Sequence, residues 1–162
     1  MLTAMSLERF HQAQASQWSG YATALAETRA GRKSSHWIWY IFPQIDGLGR
    51  SSTAREYALR DLDEACAYLR DPSLRSHYEE ITNAVAEHIG RGAPIEHLMG
   101  GSTDAFKLAS SLTLFRAAAT RLAEDKDGAD FQRLAQTCDA ILQRTATQGY
   151  PPCEFTLERI AE

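Results

Sequence analysis

The strongest constraint on the fold comes from a long amphipathic segment in the second half of the chain. Between Thr103 and Leu122, apolar residues recur at steps of four, three, four and three: Leu108, Leu112, Phe115, Ala119 and Leu122. These steps follow the 3.6-residue period of an α-helix and predict one continuous apolar face. Because such a face must be covered by other elements, the segment predicts a long helix packed against further helices.

Weaker patterns of the same kind predict helices along most of the chain. They cover Ser6–Ala30 with a break at Gly20, then Ser34–Phe42, Ser52–Leu59, Asp61–Arg70, Pro72–Ile89, Ile95–Met99 and Phe131–Thr145, before a short closing helix. A charged loop is predicted at Lys126–Asp130. The apolar run from Trp37 to Phe42 also fits a buried strand, but the serines before it and Pro43 after it favour a helix. The sequence therefore predicts an all-α fold, a compact single domain over residues 1–162 with about six to eight helices.

Charge and the lengths of the apolar runs exclude several classes of protein. The chain has 17 lysine and arginine residues against 21 aspartate and glutamate residues, and its net charge of −4 argues against a nucleic-acid partner. No apolar run approaches the roughly 20 residues that span a bilayer, and the first ten residues lack the pattern of a signal peptide, so no membrane association is expected. Cys66, Cys138 and Cys153 form no metal pattern, which predicts reduced thiols, a cytoplasmic location, no metal and no cofactor. The oligomeric state stays open.

The segment from Gly31 to Ser52 combines cations, aromatic residues and a glycine-rich turn. A helix that begins at Ser34 would present free backbone N–H groups beside two cations, and a second helix start follows the turn. Amides and cations in this arrangement predict an anion site for a phosphate or pyrophosphate. The candidate ligand-binding residues are Arg32, Lys33, His36, Trp37, Gln44, Gly47, Gly49, Arg50 and Ser51. The alternative is that the cations are solvated, the serines cap helices, the glycines make a turn and the aromatic residues pack in the core.

Three hydroxyl residues follow a lysine inside the long amphipathic segment. Ser110 and Ser111 stand three and four residues after Lys107, on its face of the helix, and Thr113 follows. Hydroxyl groups are mildly unfavourable inside a helix, so the cluster calls for a reason. Three readings are open: these residues bind phosphate or ribose oxygens, Lys107 is the base of a serine nucleophile, or the hydroxyls allow close packing while Lys107 pairs with a buried carboxylate.

Several motifs resemble, in the same order, those of a bacterial family described as a domain of unknown function, number 1810. Residues 9–14 (R-F-H-Q-A-Q) resemble its R-F-x-x-A-Q opening, and residues 31–44 resemble its G-R-K-x-x-H-W-x-W-x-x-F-P-Q signature. Further similarities lie at residues 47–51, 64–74 and 104–115. The resemblance implies a mainly helical single domain and brings no activity with it. The tail departs from the family pattern, because Gln148–Cys153 stands where F-G-G-x-x-D is expected.

A second, shorter resemblance suggests a reaction. Residues 8–14 (E-R-F-H-Q-A-Q) are similar to the E-H-Y-F-Q-A-Q stretch of the NADAR family, which acts on N-glycosidic bonds of ribose-containing compounds. This similarity implies hydrolysis of a ribose N-glycoside, with Glu8 as the acidic group. His36 is the only histidine within a signature motif and is the candidate acid–base residue, and Lys107 is the third catalytic candidate.

Two functions are consistent with these features. The first is binding or hydrolysis of a small anionic ligand, namely a phosphorylated, nucleotide-like molecule, and whether the protein is an enzyme stays open. The second is a non-catalytic protein-interaction module in which Trp39 and Tyr40 face a partner. The two differ in whether the polar residues of the motifs converge on a concave pocket.

Overall fold

The chain folds into helices joined by short loops. The computed structural model describes residues 2–125 and 129–162, with side chains over residues 7–125 and 131–162. The helices are α1 (Leu2–Gln14), α2 (Tyr21–Arg29), α3 (Ile38–Ile41), α4 (Ser52–Glu56), α5 (Leu62–Arg70), α6 (Pro72–Gly90), α7 (Ile95–Met99), α8 (Ser102–Glu124), α9 (Ala129–Ala146) and α10 (Glu154–Ala161). The described residues form no strand, and one isolated parallel bridge joins Ile45 to Leu59. The prediction of an all-α fold is confirmed.

Helix α8 lies at the centre of the packing. It contacts α3, α5, α7, α9 and α10, and the apolar residues of its predicted face are all buried. The ring of Phe115 lies 4.3 Å from that of Tyr78 and 5.2 Å from that of Tyr68, so aromatic contacts join α8 to α5 and α6. The buried apolar side chains form one continuous cluster around this helix. Among the described helices, none is long and apolar enough to cross a membrane.

Local capping sets the starts of α5 and α6. The carboxylate of Asp61 accepts a hydrogen bond from the backbone N–H of Glu64 at 2.9 Å. The carboxylate of Asp71 accepts from the N–H groups of Ser73 and Leu74, both at 3.1 Å, and Pro72 occupies the first turn of α6. These caps satisfy amides that have no partner within the helix.

The helix predicted over Ser34–Phe42 is wrong in its first half. Only Ile38–Ile41 is helical, and the residues from Arg32 to Trp37 form a loop whose backbone amides bond to distant groups. Two helix boundaries also differ from the prediction. Helix α1 begins at Leu2 and not at Ser6, and α4 ends at Glu56 and not at Leu59. Of the charged loop predicted at Lys126–Asp130, the first three residues lie outside the described part of the chain.

The residues of the R-F-x-x-A-Q motif hold α1 to the rest of the fold. The Arg9 guanidinium donates to the carbonyls of Glu56 and Ala58 at 2.7 and 2.8 Å. Gln14 is buried, and its amide nitrogen donates to the Tyr40 carbonyl at 2.8 Å. These bonds link α1 to α3 and to the loop after α4, so the motif has a structural role in this part of the fold.

Candidate ligand-binding site

The backbone amides near the start of residues 32–42, called here the tryptophan segment, bind a carboxylate of the protein itself. Glu27 on α2 accepts hydrogen bonds from the N–H of Ser34 at 2.8 Å, the N–H of Ser35 at 2.9 Å and the indole N–H of Trp37 at 3.0 Å. The Ser35 hydroxyl adds a fourth at 2.5 Å. Burial raises the pKa of the Glu27 carboxyl, but the hydrogen bonds from Ser35, Ser34 and Trp37 outweigh it and lower the pKa to about 2. Glu27 therefore occupies the amides that the sequence assigns to a bound anion.

Lys33 is also engaged within the fold. Its side chain is 5% exposed, and its ammonium lies 2.7 Å from the carboxylate of Asp104 at the start of α8. The ammonium donates to the Ser35 carbonyl at 2.5 Å and lies 4.9 Å from the centre of the Trp37 ring. Trp37 itself is fully buried. Lys33 therefore joins the tryptophan segment to α8 through a buried ion pair.

The hydroxyl cluster of α8 points into the protein and contacts neighbouring elements. The Ser110 and Ser111 hydroxyls lie 3.3 Å from the Thr156 hydroxyl and 3.0 Å from the Tyr78 hydroxyl, respectively. The Thr113 hydroxyl donates to the Ala109 carbonyl at 2.7 Å and accepts from the backbone N–H of Cys153 at 3.0 Å. Ser110, Ser111 and Thr113 are fully buried. Ser110 and Thr113 thereby attach the C-terminal tail to α8, and Ser111 attaches α6.

We expect Thr113→Val to lower the free energy of unfolding by about 2 kcal/mol, because valine keeps the shape but leaves the buried N–H of Cys153 without an acceptor. Chemical denaturation followed by circular dichroism measures this change. Thr120→Val is the matched control, since the Thr120 hydroxyl is exposed on the same helix and bonds only to the Arg116 carbonyl at 2.7 Å. An equal loss of stability in both variants would show that the Cys153 contact contributes nothing.

One groove brings several predicted ligand-binding residues together. It has a volume of about 310 Å³ and is lined by Gln44, Leu48, Gly49, Thr103, Phe106 and Lys107. Thr103 and Lys107 are four residues apart on α8 and therefore share a face. The bridge between Ile45 and Leu59 fixes the opposite wall, because the N–H of Leu59 donates to the Gln44 carbonyl at 2.9 Å. At Gly49 an added Cβ would lie 2.3 Å from that of Ala54, so only glycine fits this wall.

Lys107 is the charged residue in the lining of this groove, and its ammonium is positive. It lies 4.9 Å from the centre of the Trp39 ring, and among the described residues no carboxylate lies within ion-pair distance of it. The indole N–H of Trp39 is buried and makes no hydrogen bond within the described structure. Lys107 therefore differs from Lys33, whose charge is neutralised by Asp104.

The other predicted site residues lie outside the groove lining. Arg32, His36, Arg50 and Glu8 are exposed, and neither the His36 ring nor the Glu8 carboxylate has a hydrogen-bond or ion-pair partner among the described residues. The Ser51 hydroxyl caps α4 by accepting from the N–H of Ala54 at 3.1 Å. Gly47 has a positive φ of 107° and lies against the Phe155 ring of α10.

Sequence reasoning missed four residues of the site and its surroundings. Thr103, Phe106 and Leu48 line the groove, and Glu27 fills the predicted anion site. Thr103 could have been found from its four-residue spacing to Lys107, whereas nothing in the spacing of Glu27 marks its role. No group of three or more histidine, cysteine, aspartate or glutamate residues in the described ranges is arranged to hold a metal ion. Cys66, Cys138 and Cys153 are free and buried.

Comparisons with known proteins agree with the motifs. The family model described as "Protein of unknown function (DUF1810)" matches residues 4–146. The chain is also similar to the crystal structure of the conserved hypothetical protein Rv1873 from Mycobacterium tuberculosis, with 33% identity over 97% of each chain and a TM-score of 0.74. No curated protein matches the sequence. The chain therefore belongs to the DUF1810 family, which is described as one of unknown function.

Proposed function

We propose that the protein binds a phosphorylated, nucleotide-like small molecule in the groove beside Lys107. The observation that carries this proposal is the charge of Lys107, which lines the groove and has no carboxylate partner among the described residues. An ammonium with three donors and no internal counter-ion favours an anion, and phosphate oxygens accept strong charge-assisted hydrogen bonds from it.

The rest of the groove lining supports a ligand of this kind. Gln44 supplies an amide that can donate and accept, and Thr103 supplies a hydroxyl, so both can bond to ribose or phosphate oxygens. Phe106 is 45% exposed and offers a ring face on which a planar base can stack. A few polar groups among apolar walls are typical of small-molecule sites.

Binding is better supported than hydrolysis of a ribose N-glycoside. General acid–base catalysis needs a side chain within hydrogen-bond reach of the reacting group, commonly oriented by a second residue. His36 and Glu8 are exposed and have no orienting partner among the described residues, and neither lines the groove. The proposal therefore assigns a ligand and no reaction.

A thermal-shift and calorimetry screen with ADP-ribose, nucleoside phosphates and sugar phosphates tests the proposal. A ligand present at 100 times its dissociation constant is expected to stabilise the protein by about 2.7 kcal/mol. Lys107→Gln is expected to weaken the binding of that ligand at least about tenfold, because a charge-assisted contact contributes about 1.5–3 kcal/mol.

Arg144→Gln is the matched control, since it removes one positive charge from an exposed position on α9. This variant should bind the ligand as the unaltered protein does. No stabilisation by any compound, or equal affinity in Lys107→Gln and Arg144→Gln, would contradict the proposal and favour the protein-interaction module. Chromatography of each ligand after incubation with the protein tests hydrolysis, and release of a free base would contradict the assignment of binding alone.

A further inference from the structure

A second, larger groove adjoins the one beside Lys107. It has a volume of about 610 Å³, and Phe106 lines both grooves. Its large apolar lining residues are Phe106, Tyr150, Pro151, Pro152, Phe155 and Leu157. Phe106 and Leu157 are 45% and 42% exposed, which is unusual for large apolar side chains that share one concavity. Large apolar side chains exposed within one groove offer a surface to an apolar group of a ligand.

Residues 149–155 form one wall of this second groove, and hydrogen bonds hold them in place. The Tyr150 carbonyl accepts from the Thr145 hydroxyl at 2.8 Å, and the Tyr150 hydroxyl donates to the carboxylate of Glu96. The N–H of Cys153 is bonded to Thr113 on α8 at 3.0 Å. The groove is therefore formed before a ligand arrives, which reduces the entropy that binding must overcome.

The chemistry of the walls selects a flat apolar group. Pro151 and Pro152 have no N–H, so this wall cannot pair with an extended peptide through backbone donors. Three aromatic side chains, those of Phe106, Tyr150 and Phe155, offer ring surfaces for stacking.

The two grooves, which share Phe106, differ in their charged residues. Glu154 lines the second groove, and the Arg159 guanidinium lies 5.5 Å from the centre of the Phe155 ring, whereas Lys107 is the one charged residue among those described that line the first. Lys107 supplies a cation with no carboxylate partner among the described residues, and the lining beside the prolines supplies large apolar side chains.

We propose that the second groove holds the aromatic ring of the same ligand whose phosphate binds beside Lys107, so that the ligand class is an aromatic phosphate, either a nucleotide or an aryl phosphate. The inference rests on the proposed function for its phosphate end. It assigns a binding role to Leu157 and to the tail segment from Gly149 to Phe155, which follows the end of the family match at residue 146.

The test compares inorganic phosphate, phenyl phosphate and the uncharged benzyl alcohol by calorimetry and ligand-observed NMR. Phenyl phosphate is expected to bind at least about tenfold more tightly than inorganic phosphate, since an aromatic ring buries enough apolar area for that difference. Leu157→Ser should abolish this advantage without changing the affinity for inorganic phosphate, whereas Lys107→Gln should weaken both phosphates. Benzyl alcohol should bind the unaltered protein and Lys107→Gln equally, and Leu157→Ser more weakly.

Trp18→Ser is the matched control for loss of an exposed apolar side chain, because Trp18 is 85% exposed on the turn between α1 and α2. It should leave all three affinities unchanged. Equal affinity for the two phosphates, or benzyl alcohol binding that Leu157→Ser does not weaken, would overturn the inference and leave the phosphate site standing. Binding of benzyl alcohol without any phosphate binding would overturn the proposed function and, with it, the shared ligand.

Discussion

Replacing Glu27 with alanine is expected to lower the free energy of unfolding by about 3 kcal/mol, because hydrogen bonds to a charged group stabilise by about 1.5–3 kcal/mol each and are not additive. The carboxylate takes four donors, one of them the indole N–H of the fully buried Trp37. Urea denaturation measures the change. Glu87→Ala, at an exposed position on α6, is the control and should alter stability by less than about 0.5 kcal/mol.

The contribution of Glu27 should depend on pH with a defined sign. Its folded pKa of about 2 lies below its ordinary value of 4.5, so the unfolded chain binds the proton more readily. The stabilisation is therefore complete above about pH 5 and is lost as the pH falls towards about 2. The difference in stability between the unaltered protein and Glu27→Ala should shrink over this range. A difference that stays constant from pH 6 to pH 3 would contradict the role of the charged carboxylate.

Loss of Lys33 is expected to destabilise the protein by a similar or larger amount. Lys33→Met removes the partner of Asp104, whose carboxylate is only 22% exposed, and breaking a buried pair on one side costs about 3–5 kcal/mol. Since Asp104 keeps some contact with solvent, we expect a value near the lower limit, about 3 kcal/mol, measured by thermal and urea unfolding.

A double variant separates the ion pair from the packing of the lysine stem. Lys33→Met with Asp104→Asn should recover part of the lost stability, because no unpaired charge is then left near the core. Arg91→Met, at an exposed position after α6, is the control for loss of one positive charge. A double variant that is as unstable as the sum of the two single variants would mean that the ammonium and the carboxylate do not interact.

The helices and their ends were largely predictable because the forces that set them act over a few residues. The four- and three-residue steps of α8 identify its buried face, and Asp61 and Asp71 cap α5 and α6 within three residues of their own positions. The helix predicted from Ser34 failed for the opposite reason. The amides of Ser34 and Ser35 bond to Glu27 on the preceding helix, and the amide of Lys33 bonds to the Leu98 carbonyl, so contacts with other parts of the fold hold this segment as a loop.

The candidate site was predictable in part. Gln44, Gly49 and Lys107, which the motifs single out as candidates, line one groove although more than fifty residues separate the two segments. The sequence alone leaves the role of Lys33 and of the α8 hydroxyls open, because a lysine or serine has the same local pattern whether it binds a ligand or a distant part of the chain. The pairings with Asp104, Thr156, Tyr78 and Cys153 are all made across the fold.

The amino-acid sequence alone predicted that this chain is helical and, approximately, where its longer helices lie, and its motifs resemble those of the family to which it belongs. It could not establish which polar groups are left over for a ligand. That depends on which donors and acceptors the fold itself satisfies, and several of these pairs are far apart in the sequence, as Thr113 and Cys153 are at forty residues. Lys33 and Lys107 have the same side chain, and the folded structure decides how they differ. Asp104 pairs with the ammonium of Lys33, whereas Lys107 lines a groove.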